Sequence, residues 1–247
     1  MKSVKLFLFA VIYLTCLGEA LHAQRPGNAP QDLEGRQRSI IRISSQTAKG
    51  DLRRLSQSLH EGLDAGLTIN EVKEVLVHLY AYCGFPRSIR GLQTFLQVLN
   101  ERQAKGINDV KGAEASSIED DINKYERGKK ILGELTGAPQ QGPLTGYSAF
   151  APVIDSFLKE HLFADIFERD VLTYAQRELV TISVLGTIGG VEPMLRSHLA
   201  ISLNIGVTPE QLKEFISIIQ STTGKKEAKA AKAVLDEVLK TSKNSNK

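Results

Sequence analysis

Apolar residues fall three or four positions apart along most of this chain, as in LRRLSQSLHEGLDAGL (52–67), and no long stretch alternates apolar and polar β-branched residues. Spacing of that kind gives a helix one apolar face, so the pattern predicts an all-α protein. The helices it predicts lie near 33–48, 51–65, 69–83, 86–103, 118–134, 150–162, 174–188, 193–205, 209–221 and 225–241. Between 104 and 149 the pattern weakens. KGINDVKGAEASSIEDD (105–121) is polar and LTGAPQQGPLTG (135–146) gathers helix-breaking Gly and Pro, which predicts a linker holding one helix. The polar end TSKNSNK (241–247) reads as a disordered tail.

The strongest internal signal is a repeat at a separation of 140. LHEGLDAGLTINEVKEVLVHLYAYCGFPRSIRGLQTFLQVL (59–99) aligns without gaps on LAISLNIGVTPEQLKEFISIIQSTTGKKEAKAAKAVLDEVL (199–239), pairing Leu59 with Leu199, Gly66 with Gly206, Thr68 with Thr208 and Glu74 with Glu214. The local chemistry repeats too. Gly66 and Gly206 can end a helix in the left-handed conformation, while Thr68 with Glu71 and Thr208 with Gln211 form capping boxes for the next. Two tandem copies of one helical unit, packed about a pseudo-twofold axis, are therefore expected. Their boundaries read 24–103 and 150–241, joined by the linker 104–149 and followed by the tail 242–247.

The first residues change the picture. MKSVKLFLFAVIYLTCLGEALHA has early lysines, an apolar run and a small-residue exit, the pattern of a cleavable signal peptide over 1–23, so export to the periplasm or beyond is expected, with no membrane association after cleavage. Removing Lys2, Lys5 and Glu19 lowers the formal net charge from +3 to +2. That near balance lacks the concentrated basic face of a nucleic-acid binder. Cys16 leaves with the signal, so Cys83 has no intrachain partner and no disulfide framework exists.

Chemistry concentrates before the second copy. Thr173 and Gln176 form another capping box, a helix follows, Gly189-Gly190 turns the chain and Pro193 starts the returning helix. Glu178 lies about 11 residues before that turn and His198 about 8 after it, which puts them within about 5 Å along the hairpin axis. A buried carboxylate on an imidazole fixes its tautomer and raises its basicity, as general acid/base chemistry requires. The bland alternative is a helix-start glutamate and a core histidine. His60, His78, His161 and His198 show no metal-ligand spacing, so neither metal nor cofactor is expected. Asp165, Glu168 and Asp170, and Lys225, Lys226, Lys229 and Lys232, read as solvated faces.

RELVTISVLGTIGGVEPMLRSHLAISLNIGVTPEQLKE (177–214) resembles the carboxymuconolactone decarboxylase family, and the first copy carries that family's Tyr-x-Gly-x-Pro corner as Tyr82-Cys83-Gly84-Phe85-Pro86. The resemblance implies an alkyl hydroperoxidase D-like helical fold, assembly as a homotrimer or homodimer, and either decarboxylase or lactone chemistry or thiol peroxidase activity. In the hydroperoxidase branch a glutamate, a Cys-x-x-Cys pair and a histidine act together. Glu178 and His198 match the outer positions, whereas the turn between them reads Gly189-Gly190-Val191-Glu192-Pro193. Peroxide reduction by attacking and resolving thiols is thereby disfavoured. Cys83 sits at the corner instead, where a small side chain lets the chain turn. The first copy in turn lacks the acid/base pair, with Arg38 or Ser39 opposite Glu178 and Ser58 opposite His198. The combined expectation is one composite site per chain, with Glu178 and His198 moving protons. Tyr80, Tyr82, Cys83, Arg87 and Arg90 would line a pocket for a small carboxylate or aromatic molecule. A non-catalytic binding or assembly module is the remaining alternative.

Overall fold

The computed structural model describes residues 32–118 and 123–245, with side chains described to residue 242; the expected signal peptide lies outside them. Among the described residues all regular structure is helical: α1 (Gly35–Lys49), α2 (Leu52–Asp64), α3 (Ile69–His78), α4 (Tyr80–Ala104), α5 (Lys124–Thr136), α6 (Gly146–Phe150), α7 (Pro152–Ser156), a π-helix (Phe157–Phe167), α8 (Tyr174–Ile188), α9 (Glu192–Asn204), α10 (Pro209–Thr222) and α11 (Lys225–Ser245). The expected all-α class is the one observed. None of these helices is long and apolar enough to cross a membrane.

The caps set most boundaries. Thr68, Thr173 and Thr208 each accept a hydrogen bond from the backbone three residues on, and Glu71, Gln176 and Gln211 return the bond to the cap. Such caps satisfy amides that the first helical turn leaves free. Gly84 has a non-helical backbone, φ 81° and ψ 160°, which bends α4 at the Tyr-x-Gly-x-Pro corner.

Helices α1–α4 and α8–α11 start about 140 residues apart and run in step. Arg38 is the fourth residue of α1 and Arg177 the fourth of α8; Glu74 is the sixth of α3 and Glu214 the sixth of α10. The two sets share one core. Ile40, Ile43, Leu55, Leu59, Val75 and Phe95 belong to the same buried cluster as Leu179, Ile182, Leu199, Leu212, Phe215 and Leu235. At about 1.5–3 kcal/mol for each fully buried large apolar side chain, this cluster ties both sets into one folding core. At its centre α1 lies against α8, whose residues from Arg177 to Gly186 are all buried.

The segment expected to be a linker contributes α5, which packs on the π-helix. Ile131, Leu135, Leu162, Phe163, Ile166 and Phe167 form a second cluster there with Ile201 of α9. Contact is close because residue 128 is glycine: a Cβ there would lie 1.8 Å from the Lys159 carbonyl oxygen. Buried Lys159 bonds Asp155 at 2.6 Å, and Tyr125 donates to the same carboxylate at 2.6 Å, joining α5 to the π-helix. The single helix expected over 150–162 is broken at Ala151 (φ −134°, ψ 78°), where Pro152 starts a new turn. Beyond it the chain takes the wider π geometry, which apolar periodicity does not distinguish from an α-helix.

Candidate acid–base site

The α8–α9 hairpin closes through Gly189 and Gly190, both at positive φ. It brings His198 Nδ1 to 2.9 Å and 3.1 Å from the two carboxylate oxygens of Glu178. Glu178 is fully buried and the His198 side chain is 14% exposed. A carboxylate only accepts, so Nδ1 carries the proton and donates it, leaving Nε2 as the acceptor of the neutral ring. Among the described residues no protein group bonds that second nitrogen. The arrangement can take up and return a proton.

The first set of helices reaches this pair through Tyr82. Its ring meets that of His198 edge-on, with centroids 5.8 Å apart and planes at 86°. The Tyr82 hydroxyl is buried near Thr181 without a hydrogen bond of good geometry among the described residues. Burial first, and the Glu178 carboxylate second, raise its pKa far above the ordinary phenol value, so it stays a proton donor.

Behind Tyr82 lies a buried polar chain that the sequence did not single out. His78, wholly buried, lies 3.0 Å from Thr181 Oγ1 through Nε2 and 3.2 Å from Arg177 through Nδ1. An arginine only donates, so His78 is neutral with its proton on Nε2. Burial, then the Arg177 charge, hold its pKa well below the usual histidine value. Arg177 also donates to Glu74 at 2.8 Å, and Arg169 reaches the same carboxylate at 2.9 Å. The His78 ring packs against Phe167 of the π-helix at 5.0 Å and Tyr82 at 5.5 Å. The usable signal was the register: Glu74 and Glu214 match in the repeat, and Arg177 and Arg38 occupy one helical position.

The expected lining residues divide. Tyr82, Cys83 and Arg87 border a cavity of about 410 Å³ with Lys49, Thr187 and Glu227. Arg87 lies over Gly50, where a Cβ would fall 1.6 Å from its guanidinium and where φ is +80°. The positive φ is what favours glycine there, since the Arg87 side chain can swing aside. Tyr80 turns away, stacking on Phe85 at 4.5 Å and facing His161 at 5.7 Å. Arg90 is held by Gln93 at 2.6 Å on the exposed side of α4, away from the cavity. The Cys83 thiol donates to the Leu79 carbonyl at 3.3 Å, and burial pushes its pKa up to about 11 against the opposing pull of Arg87. His198 does not border this cavity; Tyr82 touches both. His161 bonds Asp165 at 3.0 Å on the surface, and His60 lies 3.5 Å from Glu101.

An all-helical protein with a buried carboxylate–imidazole pair in a helical hairpin is the class that fold and site define. A sequence model described as the carboxymuconolactone decarboxylase family matches residues 152–237, which include that pair. The chain is also 31% identical over 121 residues to the 4-carboxymuconolactone decarboxylase of Acinetobacter baylyi strain ADP1, covering 49% of this chain and 90% of that enzyme. The chain belongs to the carboxymuconolactone decarboxylase family.

Proposed function

We propose that the protein carries out acid/base chemistry on a small carboxylate, a decarboxylation or a lactone conversion, with His198 as the proton-transfer group and Glu178 as its positioning residue. The observation that carries this reading is the 2.9 Å contact of His198 Nδ1 with buried Glu178 while Nε2 stays without a protein partner. Loss of carbon dioxide, or movement of a double bond beside a carbonyl, needs a proton delivered to or taken from carbon, and an oriented imidazole does this near neutral pH. Tyr82, from the other set of helices, presents a protonated hydroxyl for the oxygen on which charge develops. Arg87 and Lys49 offer cations to a substrate carboxylate in the adjoining cavity.

The likeness to a 4-carboxymuconolactone decarboxylase makes 4-carboxymuconolactone the first substrate to assay. His198→Gln should lower kcat/KM by about 100-fold or more, and Glu178→Gln by less. Unchanged turnover in His198→Gln would remove the reading. A second reading, a binding or assembly module, is favoured by His198 bordering neither the cavity beside Tyr82 nor the neighbouring one at Gly189 and Gly190. It predicts no turnover of any lactone or carboxylate even when a ligand binds. Thiol peroxidase activity has no support in Cys83, whose thiol is held protonated and has no resolving cysteine among the described residues. The apolar run of residues 1–23 supports export, and the exposed Phe150, Val153 and Phe157 support self-association into a homodimer or homotrimer. Duplication of an ancestral unit accounts for the two helix sets running in step.

A further inference from the structure

The acid–base site has a counterpart in the first set of helices. Ser39 is the fifth residue of α1 as Glu178 is of α8, and Ser58 is the seventh of α2 as His198 is of α9. Arg42 stands at the position of Thr181, and Thr222 at that of Tyr82, fourteenth from the starts of α10 and α3. The two places differ in what covers them. Ile201 on α9 is buried under α5 and the π-helix. Its counterpart on α2 is Glu61, which borders an open cavity of about 400 Å³ with Arg42, Gln46, Arg54, Ser58 and Thr222.

Every one of those side chains is polar. Arg42 lies 3.7 Å from Glu61, and Arg54 3.7 Å from Asp51, so each cation is only loosely neutralised. Arg54 also donates to the Thr222 carbonyl at 3.5 Å, and the Gln46 amide nitrogen donates to that same oxygen at 3.2 Å. Gln46 is 2% exposed, and its carbonyl oxygen is buried with no donor against it. The Ser58 hydroxyl has no protein partner among the described residues. Two arginines suit one carboxylate. The Glu61 carboxylate and the unmet Gln46 oxygen call for hydroxyl donors and oppose a second negative charge.

We propose that this cavity binds a polyhydroxylated monocarboxylate, a sugar acid in chemical type, at a site separate from His198. The inference does not depend on any reaction at His198. Calorimetric titration of the full chain with sodium gluconate should give saturable binding, with sodium hexanoate, of similar length but without hydroxyls, at least tenfold weaker. Arg54→Gln and Arg42→Gln should each weaken gluconate binding at least tenfold; both side chains are substantially exposed, so an unchanged thermal midpoint is expected to accompany the loss. His198→Gln should bind gluconate as the parent protein does, which separates failure of this site from failure of the proposed acid–base chemistry. No saturable gluconate binding, equal affinity for hexanoate, or full affinity in both arginine variants would overturn the proposal.

Discussion

Two ion pairs at matching positions show how far the two helix sets differ. Arg38 of α1 bonds Glu214 of α10, and Arg177 of α8 bonds Glu74 of α3, so each set clasps the other through the same helical positions. The first pair is partly solvated, with side chains 38% and 24% exposed; in the second the figures are 0% and 4%. Water screens the first and deserts the second. Around the buried pair stand His78, Thr181 and Tyr82, next to the Glu178–His198 pair, whereas the position matching His78 holds Ile218. Polar residues that would be costly in an apolar core are tolerated on one side because His78 bonds Thr181 and Arg177, and Arg177 bonds Glu74, leaving the Tyr82 hydroxyl as an exception.

The largest expected effect tests this asymmetry directly. Arg177→Met leaves His78 and Glu74 short of a buried donor and should cost about 3 kcal/mol, since breaking a buried pair strands a charge. Arg38→Met should cost about 1 kcal/mol or less, as surface pairs do. Urea denaturation of both variants measures the difference, and equal losses would mean that burial does not govern these pairs.

Next comes the transplant of chemistry into the first set. Ser39 is 3% exposed, so Ser39→Glu alone buries an unpaired carboxylate and should cost about 3 kcal/mol or more. Ser58→His added to it should return at least about 1 kcal/mol if the α1–α2 hairpin holds the geometry of α8–α9. A double variant no more stable than the sum of the singles would show that the hairpins match in register but not in separation.

His78 gives a smaller, pH-dependent effect. Burial depresses its folded pKa well below the ordinary histidine value of 6.5, so the unfolded chain takes up a proton first as pH falls. Stability is fully present above about pH 6.5 and declines below it, with a slope approaching 1.4 kcal/mol per pH unit for one proton. Between pH 6.5 and 5 the parent protein should show this slope and His78→Gln should lack it. A parallel decline in both would assign the effect to other groups.

The sequence was informative where a signal was local. Helix starts at Thr68, Thr173 and Thr208 followed from capping chemistry, and the Glu178–His198 contact followed from counting residues on either side of Gly189-Gly190. What it did not reveal depended on packing between distant segments. The Arg177–Glu74 bond joins residues 103 positions apart, and part of the cover over Ile201 is α5, from the region whose polar stretches predicted a linker. Tyr82 was expected at the site with Tyr80 and Arg90. The bend at Gly84 and the stacking of Tyr80 on Phe85 send those two elsewhere, an outcome no residue spacing encodes.

The smallest effect concerns Cys83, whose counterpart, fifteenth from the start of α10 as Cys83 is from that of α3, is Thr223. Both side chains serve the helix end: the thiol donates to the Leu79 carbonyl at 3.3 Å and the Thr223 hydroxyl to that of Ile219 at 2.8 Å. A threonine can make the same four-residue back-bond, so Cys83→Thr should change stability by about 1 kcal/mol or less. The thiol itself should be sluggish. With a pKa near 11 against the ordinary 9.0, its thiolate fraction at pH 8 is roughly 100-fold below that of a free cysteine, and iodoacetamide should modify it correspondingly slowly. Alkylation at the rate of free cysteine would mean that the corner opens in solution, and the likeness between these two helix ends would then be one of sequence position only.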